Sequence, residues 1–259
     1  MAGMHKRGLG RRGKSQSEEI LFYRGSDLPH RPSDNLILAS VPRQEFERLR
    51  PYLEFVPLRS GTVLWETNKP IESVYFPTSG MVSLIVVLKD GATPEVGMVG
   101  REGFLGTPVV LGARSAPIRA IVQIEGHAFR TESNLLRQML PQTPRLEERL
   151  HGYANAYAML AAQLAACNSR HQVLERLSRW LAMSHDRVRS DLLPITQEFV
   201  AQMLGCRRSS ITTAVSSLQK AGVIRPAHGG IRILDRRELE RIACECYGVM
   251  RRLYDVRIG

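Results

Sequence analysis

The sequence predicts an α+β chain with three parts in order: a jelly-roll-type β domain, a long helix and a winged helix-turn-helix. From Glu54 to about Arg130, short runs rich in Val, Ile, Tyr and Phe alternate with turn residues, as is typical of an antiparallel sandwich or barrel. After Thr131 the apolar residues recur at helical spacing. Ile195–Ile224 has the pattern of two short helices joined by a tight turn at Gly205.

These patterns give four predicted segments. They are a disordered basic tail over 1–33, the β domain over 34–140, a dimerisation helix over 141–168 and the winged helix-turn-helix over 169–259. The tail is rich in Gly, Arg and Ser and has little periodicity. Its basic start has no apolar core, and no apolar run is long enough to span a bilayer. We therefore expect a cytoplasmic protein without a signal peptide or a membrane partner.

Charge is distributed unevenly along the chain. The formal net charge is +11 at pH 7. Residues 195–259 carry 11 Lys and Arg against 6 Asp and Glu, whereas residues 32–194 carry 18 against 16. A basic C-terminal domain indicates a polyanionic partner.

Cysteines and histidines show no spacing typical of a metal site. The four cysteines are Cys167, Cys206, Cys244 and Cys246, without a CxxC pair. A helix would place Cys244 and Cys246 on different faces, and His171 has no matched ligand nearby in sequence. The sequence therefore predicts reduced thiols and no metal site. Because no nucleophile–base set or carboxylate pair converges in sequence, we expect no enzyme activity.

A heptad pattern marks the long helix. Six apolar residues follow one another at spacings of 4, 3, 4, 3 and 4. Because a narrow apolar stripe between two domains needs a partner, we expect a two-fold dimer interface; alternatively, the stripe packs on its own β domain. The predicted interface residues are Leu146, Leu150, Tyr153, Tyr157, Leu160 and Leu164.

Local signals define the winged helix-turn-helix. Thr196 is the predicted N-cap of its first helix, and Gly205 supplies the turn conformation that other residues resist. Gly222 ends the second helix. The turn at 227–230 joins two short strands as a wing, and Asp235 caps a terminal helix.

The second helix of this unit has a polar and basic outer face, which suits insertion into a DNA major groove. The alternative is an ordinary helical hairpin with a solvated face. Arg208 is the best candidate for a bidentate contact with guanine, whereas Thr196, Gln197 and Lys220 are expected to position the DNA backbone. The predicted DNA-binding residues are Thr196, Gln197, Arg207, Arg208, Ser209, Ser210, Thr212, Thr213 and Lys220.

A glycine-rich loop, Val99–Gly106, interrupts the predicted strands. Its glycines free the backbone to turn tightly and to expose N–H groups, so the loop can cradle an anion such as a phosphate. Gly-rich loops also occur without that role. The candidate effector-binding residues are Gly100, Glu102, Gly103, Arg114 and Ser115.

The order of these features resembles the bacterial transcription regulators of the cyclic-AMP receptor protein and fumarate-nitrate regulator (Crp/Fnr) family. The resemblance covers roughly residues 35–240 and is strongest in Ile195–Ile224. Val99–Gly106 looks like the family's phosphate-binding cassette, with Glu102 as its ribose-binding glutamate. Arg114-Ser115-Ala116 looks like the family's motif for the cyclic phosphate. The resemblance implies a cyclic-nucleotide-binding-like β-roll, a homodimer, a palindromic double-stranded DNA operator and RNA polymerase as a partner.

Departures from the family pattern limit this inference. Ala158 and Met159 lie near the place where cyclic-AMP binders offer a Thr-Ser pair for the base, so a cyclic nucleotide is compatible with the loop but not favoured. Ser209 and Thr213 supply no carboxylate to accept from cytosine, so the DNA sequence that is read should differ. No cysteine precedes Cys167, which argues against an iron–sulfur cluster of the family's type; no haem is expected.

Two functions remain in view from the sequence. One is a homodimeric, sequence-specific DNA-binding transcription regulator whose effector domain binds a small ligand or none. The other is a cyclic-nucleotide-binding regulatory module that acts on a protein partner through its C-terminal helices. The basic excess after residue 194 favours the first, because a protein-docking surface has no general need for it.

Overall fold

The computed structural model of the chain describes Arg31 and residues 34–258, with side chains up to Tyr254. Apart from Arg31, the predicted tail lies outside the described residues. Two short helices come first, α1 (Leu36–Ala39) and α2 (Arg43–Leu49). Asn35 caps α1 by accepting from the N–H groups of residues 37 and 38, and its amide also donates to the carbonyl of Gly103 at 2.8 Å.

Seven strands and one short helix form the β domain. They are β1 (Glu54–Leu58), β2 (Val63–Trp65), β3 (Ser73–Pro77), β4 (Met81–Ile85), β5 (Glu95–Val99), α3 (Thr107–Val110), β6 (Arg119–Ile124) and β7 (Gly126–Glu132). The strands make two antiparallel sheets, ordered β1-β7-β3 and β2-β6-β4-β5. The predicted β-roll is confirmed.

The turn between β3 and β4 shows why a glycine is required there. Gly80 has φ +78°, a conformation that side chains resist. An added Cβ would also lie 2.6 Å from the carbonyl oxygen of Ile124. This close approach lets β4 pair with β6 directly after the turn.

The long helix is α5 (Pro144–Arg170), which follows α4 (Ser133–Met139) and precedes α6 (Val173–Val188). The predicted dimer seam on α5 faces inward. Four of its six members are fully buried within the single chain: Leu146, Leu150, Tyr153 and Leu160. Tyr157 and Leu164 are half-buried against the same core. The prediction that this stripe meets a second copy is therefore wrong, because the chain's own elements α1, α3, β5 and the C-terminal helix cover it.

The C-terminal part contains a three-stranded wing and the paired helices. Its elements are β8 (Leu192–Leu193), α7 (Gln197–Leu204), α8 (Arg208–Lys220), β9 (Ile224–Ala227), β10 (Gly230–Ile233), α9 (Arg236–Ile242) and α10 (Cys246–Ile258). The strand order is β8-β10-β9. The winged helix-turn-helix is thus confirmed, and β8 adds a third strand to the predicted wing.

The predicted single terminal helix is two helices. Asp235 caps α9 by accepting from the N–H of Glu238 at 2.9 Å, as expected. At Ala243 the backbone becomes extended, with φ −62° and ψ 147°, so α10 starts in a new direction. α10 then packs along α5, where Tyr254 stacks on Tyr153 with ring centroids 6.0 Å apart.

The C-terminal domain packs against the β-roll. The indole N–H of Trp180 on α6 donates to the buried carboxyl of Glu95 on β5 at 2.9 Å. Gln202 on α7 donates to the hydroxyl of Thr93. None of the helices in the described part of the chain is long and apolar enough to span a bilayer.

Candidate nucleic-acid interface

The first helix of the pair, α7, is built by the predicted signals. The hydroxyl of Thr196 accepts from the N–H of Phe199 at 3.1 Å and so caps the helix. Gly205 ends it in the left-handed conformation, with φ 59° and ψ 40°. The buried face of α7 includes Val200 and Met203, which holds the turn against the domain core and sets the direction of α8.

The second helix, α8, is buried along one stripe only. Its buried side chains are Ile211, Ala214, Val215 and Leu218. These positions follow the helical repeat, so the opposite side of α8 is left toward solvent. α8 packs on α6 and α7, and this packing fixes which side chains are presented.

Most of the predicted DNA-binding residues share this exposed side. We call the following set the α8 outer face: Arg207, Arg208, Ser209, Thr212 and Thr213, all exposed. Ser210 is half-buried and lies at the edge of the face. The hydroxyls of Thr212 and Thr213 donate to carbonyls one turn earlier at 3.1 Å, so their oxygens remain free to accept further hydrogen bonds.

The N-terminus of α8 is open to an anion. Arg207 occupies the N-cap position, and no side chain caps the helix. The N–H groups of the first turn and the positive end of the helix dipole therefore favour a phosphate. Arg208 Nε lies 3.2 Å from Glu198, but both side chains are about 70% exposed. An ion pair this exposed is weak, so Arg208 can exchange it for a base.

The remaining predicted contacts flank this face. Gln197 Oε1 lies 3.1 Å from the Thr212 hydroxyl, which can donate its one proton either to Gln197 or to the carbonyl of Arg208; this contact joins the start of α7 to α8. Thr196 is exposed, and its hydroxyl hydrogen can still donate to a phosphate while its oxygen caps α7. Lys220 is exposed at the far end of α8, about 18 Å along the axis from Arg208, where it suits backbone contact.

The wing adds two basic residues that the sequence analysis missed. Arg225 on β9 and Arg232 on β10 lie directly opposite each other in the strand register. Like charges at facing positions destabilise a strand pair, so this pair is better tolerated beside a polyanion. The sequence did indicate this pair, because one arginine lies on or next to each predicted strand of the wing.

The glycine-rich loop is engaged by the chain itself. Arg187 on α6 places its Nε 2.9 Å from Glu102 Oε1, although the N–H does not point at the oxygen. Arg187 also lies over the ring of Tyr254, at 5.3 Å. A Cβ on Gly103 would be 2.1 Å from the hydroxyl of Tyr153. The loop therefore packs directly on α5 and α6, and α6 in turn packs on α10.

Two N–H groups of the loop, which the sequence predicted to be open to an anion, are hydrogen-bonded within the loop itself. The N–H of Gly100 donates to Glu102 at 3.1 Å, and the N–H of Gly103 donates to the carbonyl of Gly100 at 3.2 Å. Arg114 and Ser115 are exposed, and the Arg114 carbonyl accepts from Ile71. Glu102 lines a cleft of about 330 Å³ together with α6, α9 and α10, but Arg114 and Ser115 do not. Their effector role remains a prediction.

The structure also brings together residues that the sequence analysis separated. We call the following set the Cys3His cluster: Cys167, His171, Cys244 and Cys246. The expectation that Cys244 and Cys246 face apart is wrong, because Cys244 precedes α10 in the turn and is not helical. His171, which has no matched ligand nearby in sequence, is the C-cap residue of α5 and lies next to them.

Proton sharing within the cluster favours one thiolate. The hydrogen bond with Cys244 lowers the pKa of Cys167, and the same contact raises the pKa of Cys244. Cys167 is therefore the thiol that loses its proton first, and thiolates are the reactive and metal-binding form. Cys206 lies apart from this group, in the turn between α7 and α8.

Comparisons with known proteins match both halves of the chain. The family described as "Crp-like helix-turn-helix domain" matches residues 175–242, and "Cyclic nucleotide-binding domain" matches residues 55–143. The transcriptional activatory protein AadR of Rhodopseudomonas palustris is 23% identical over 80% of this chain and 87% of its own length. The nitrogen fixation regulation protein FixK of Bradyrhizobium diazoefficiens is 24% identical over 80% and 87%.

A solved structure shares the fold. FixK2 from Bradyrhizobium japonicum superposes with a TM-score of 0.61 at 16% identity, over 74% of this chain and 98% of that one. The family matches thus place a cyclic nucleotide-binding domain before a helix-turn-helix domain, and the solved structure shares the fold of the chain. The chain belongs to the Crp/Fnr family of transcription regulators.

Proposed function

We propose that this regulator binds a palindromic DNA operator as a homodimer and that the α8 outer face reads the bases. The observation that carries the proposal is the exposed α8 outer face above an uncapped helix N-terminus. Arg208 is its reading residue, with Ser209 and Thr213 beside it. Lys220 and the wing pair Arg225 and Arg232 lie toward the flanking phosphates.

Replacing Arg208 with alanine is expected to weaken binding to the specific operator roughly 5- to 150-fold, because a bidentate guanine contact contributes about 1–3 kcal/mol. Binding to unrelated DNA should change much less. The measurement is fluorescence anisotropy with operator and scrambled duplexes over a salt series.

Lys220→Ala provides the matched control for Arg208→Ala, since it removes one exposed positive charge from the same helix. It should weaken both duplexes alike and reduce the salt slope by about 1. An Arg208→Ala protein that keeps its preference for the operator would show that another residue reads the base.

Self-association is supported by a second stripe on α5. Its members are all exposed and follow spacings of 4, 3, 4, 3 and 4: His151, Asn155, Ala158, Ala162, Ala165 and Ser169. Met159, 47% exposed, lies beside this stripe. Small residues at heptad spacing let two helices approach closely. The proposed dimer therefore uses this face and not the seam predicted from sequence.

Ala162→Arg is expected to convert the dimer to a monomer, because it places a long charged side chain at the centre of the exposed stripe. Sedimentation equilibrium measures the change. Asn168→Arg is the control: it adds the same charge to an exposed position on α5, about 120° around the helix from Ala162. Loss of the dimer in both variants, or in neither, would reject this face.

The glycine-rich loop, Val99–Gly106, has a separate proposed role. Because Glu102 contacts Arg187 on α6, the loop is joined to the domain that carries the α8 outer face. Movement of the loop would therefore shift α6.

Contact with RNA polymerase remains a prediction from the family resemblance.

A further inference from the structure

The Cys3His cluster lies at the junction of the long helix and the C-terminal helix. Cys167 and His171 come from the last turn of α5 and its C-cap, while Cys244 and Cys246 come from the start of α10 and the turn before it. All three thiols are buried. One ligand atom from each residue lies within 4.8 Å of every other. The four donor atoms thus lie close enough together to bind one metal ion.

The distances within the cluster match a tetrahedral zinc site. The sulfurs of Cys167 and Cys244 are 3.5 Å apart, and Cys246 Sγ is 3.6 Å from His171 Nδ1. Zinc bonds of about 2.3 Å to sulfur and 2.0–2.1 Å to nitrogen give tetrahedral edges of about 3.8 Å and 3.6 Å. The four side chains therefore need little movement to hold one ion.

The surroundings of the cluster match those of a metal site as well. His171 Nδ1 faces Cys246, and its Nε2 lies 3.1 Å from the carboxylate of Glu245. Metal-binding histidines almost always bond their second nitrogen to such an acceptor, which fixes the tautomer. The amide of Gln163 donates to Cys246 Sγ at 3.0 Å, a contact that stabilises a thiolate.

A buried cation provides charge balance. Arg179 on α6 is 2% exposed, and its guanidinium donates hydrogen bonds to the sulfurs of Met183 and Met250. The positive charge of Arg179 favours the thiolate forms of Cys167 and Cys244. Three thiolates around one divalent ion carry a net charge of −1, which offsets the charge of Arg179.

We propose that the Cys3His cluster is a structural zinc site. Zinc is preferred to magnesium or calcium because the donors are sulfur and nitrogen. The ion would link the end of α5 to the start of α10, and its ligand His171 lies two residues before α6 begins. It would thereby fix the orientation of the DNA-binding domain on the long helix. The proposal does not depend on the DNA contacts of α8.

The test uses the full chain under reducing conditions, loaded with Zn²⁺ and then dialysed. We expect one zinc per chain by mass spectrometry of the metals, and a lower Tm after a chelator removes it. Co²⁺ in its place should give the visible bands of a tetrahedral thiolate site. Cys246→Ser should lose those bands, whereas Cys206→Ser should keep them.

Glu245→Gln keeps the proposal testable if cysteine variants fold poorly, because Glu245 is exposed. It should weaken zinc roughly 10- to 100-fold in competition with a chromophoric chelator. Two results would overturn the proposal: no zinc retained after loading, or equal zinc affinity in the parent and Cys246→Ser.

Discussion

Replacing Arg187 with methionine is expected to lower the free energy of unfolding by about 3–5 kcal/mol. Arg187 is 4% exposed and Glu102 12% exposed at their side chains. The substitution leaves the Glu102 carboxylate buried without its counter-charge, which is the costly way to break such a pair. Urea unfolding followed by circular dichroism measures the change.

A double variant separates charge from packing. Arg187→Met combined with Glu102→Leu should recover most of the lost stability, because an apolar replacement of a buried ion pair is often neutral. Arg145→Met is a control, since the Arg145–Glu148 pair is on the surface and should change stability little. If Arg187→Met behaves like Arg145→Met, the pair does not join the glycine-rich loop to α6.

Glu95 is expected to make stability depend on pH. Burial raises the pKa of Glu95 to about 7 from 4.5, despite the hydrogen bonds from Ser83 and Trp180, which lower it. Because the folded state holds the proton more tightly, this contribution is fully present below pH 4.5 and is lost as pH rises through 7. The loss amounts to about 3 kcal/mol.

Glu95→Gln is the variant that tests this dependence. A glutamine retains an acceptor for Trp180 and a donor for Ser83, so it mimics the protonated acid. We expect unfolding free energies at pH 5 and pH 8 to differ by about 2.5 kcal/mol less in Glu95→Gln than in the parent chain. Equal slopes in the two proteins would mean that Glu95 does not hold its proton at the junction between the β-roll and α6.

Local signals were sufficient to predict the interface helices. The cap at Thr196, the left-handed turn at Gly205 and the cap at Asp235 each depend on residues within a few positions. The alternation of strands and turns likewise predicted the β-roll. Such features follow from backbone chemistry that neighbouring residues decide.

Features that depend on distant contacts could not be predicted in this way. Heptad spacing shows that Leu150 and Tyr157 share a face of α5, but not whether the chain or a second copy covers that face. Cys167 and Cys244 are 77 residues apart, and only the break between α9 and α10 brings them together. Arg187 meets Glu102 because α6 packs on the β-roll, which no local pattern encodes.

We propose that two copies of the chain read a palindrome through the α8 outer face. Selection of binding sites from random duplex DNA by the full-length protein tests it most directly. We predict an enriched inverted repeat whose half-sites are centred about one helical turn, or roughly 34 Å, apart, bound by two chains per site. Enrichment of a single half-site bound by one chain, or no enrichment above salt-sensitive nonspecific binding, would contradict it.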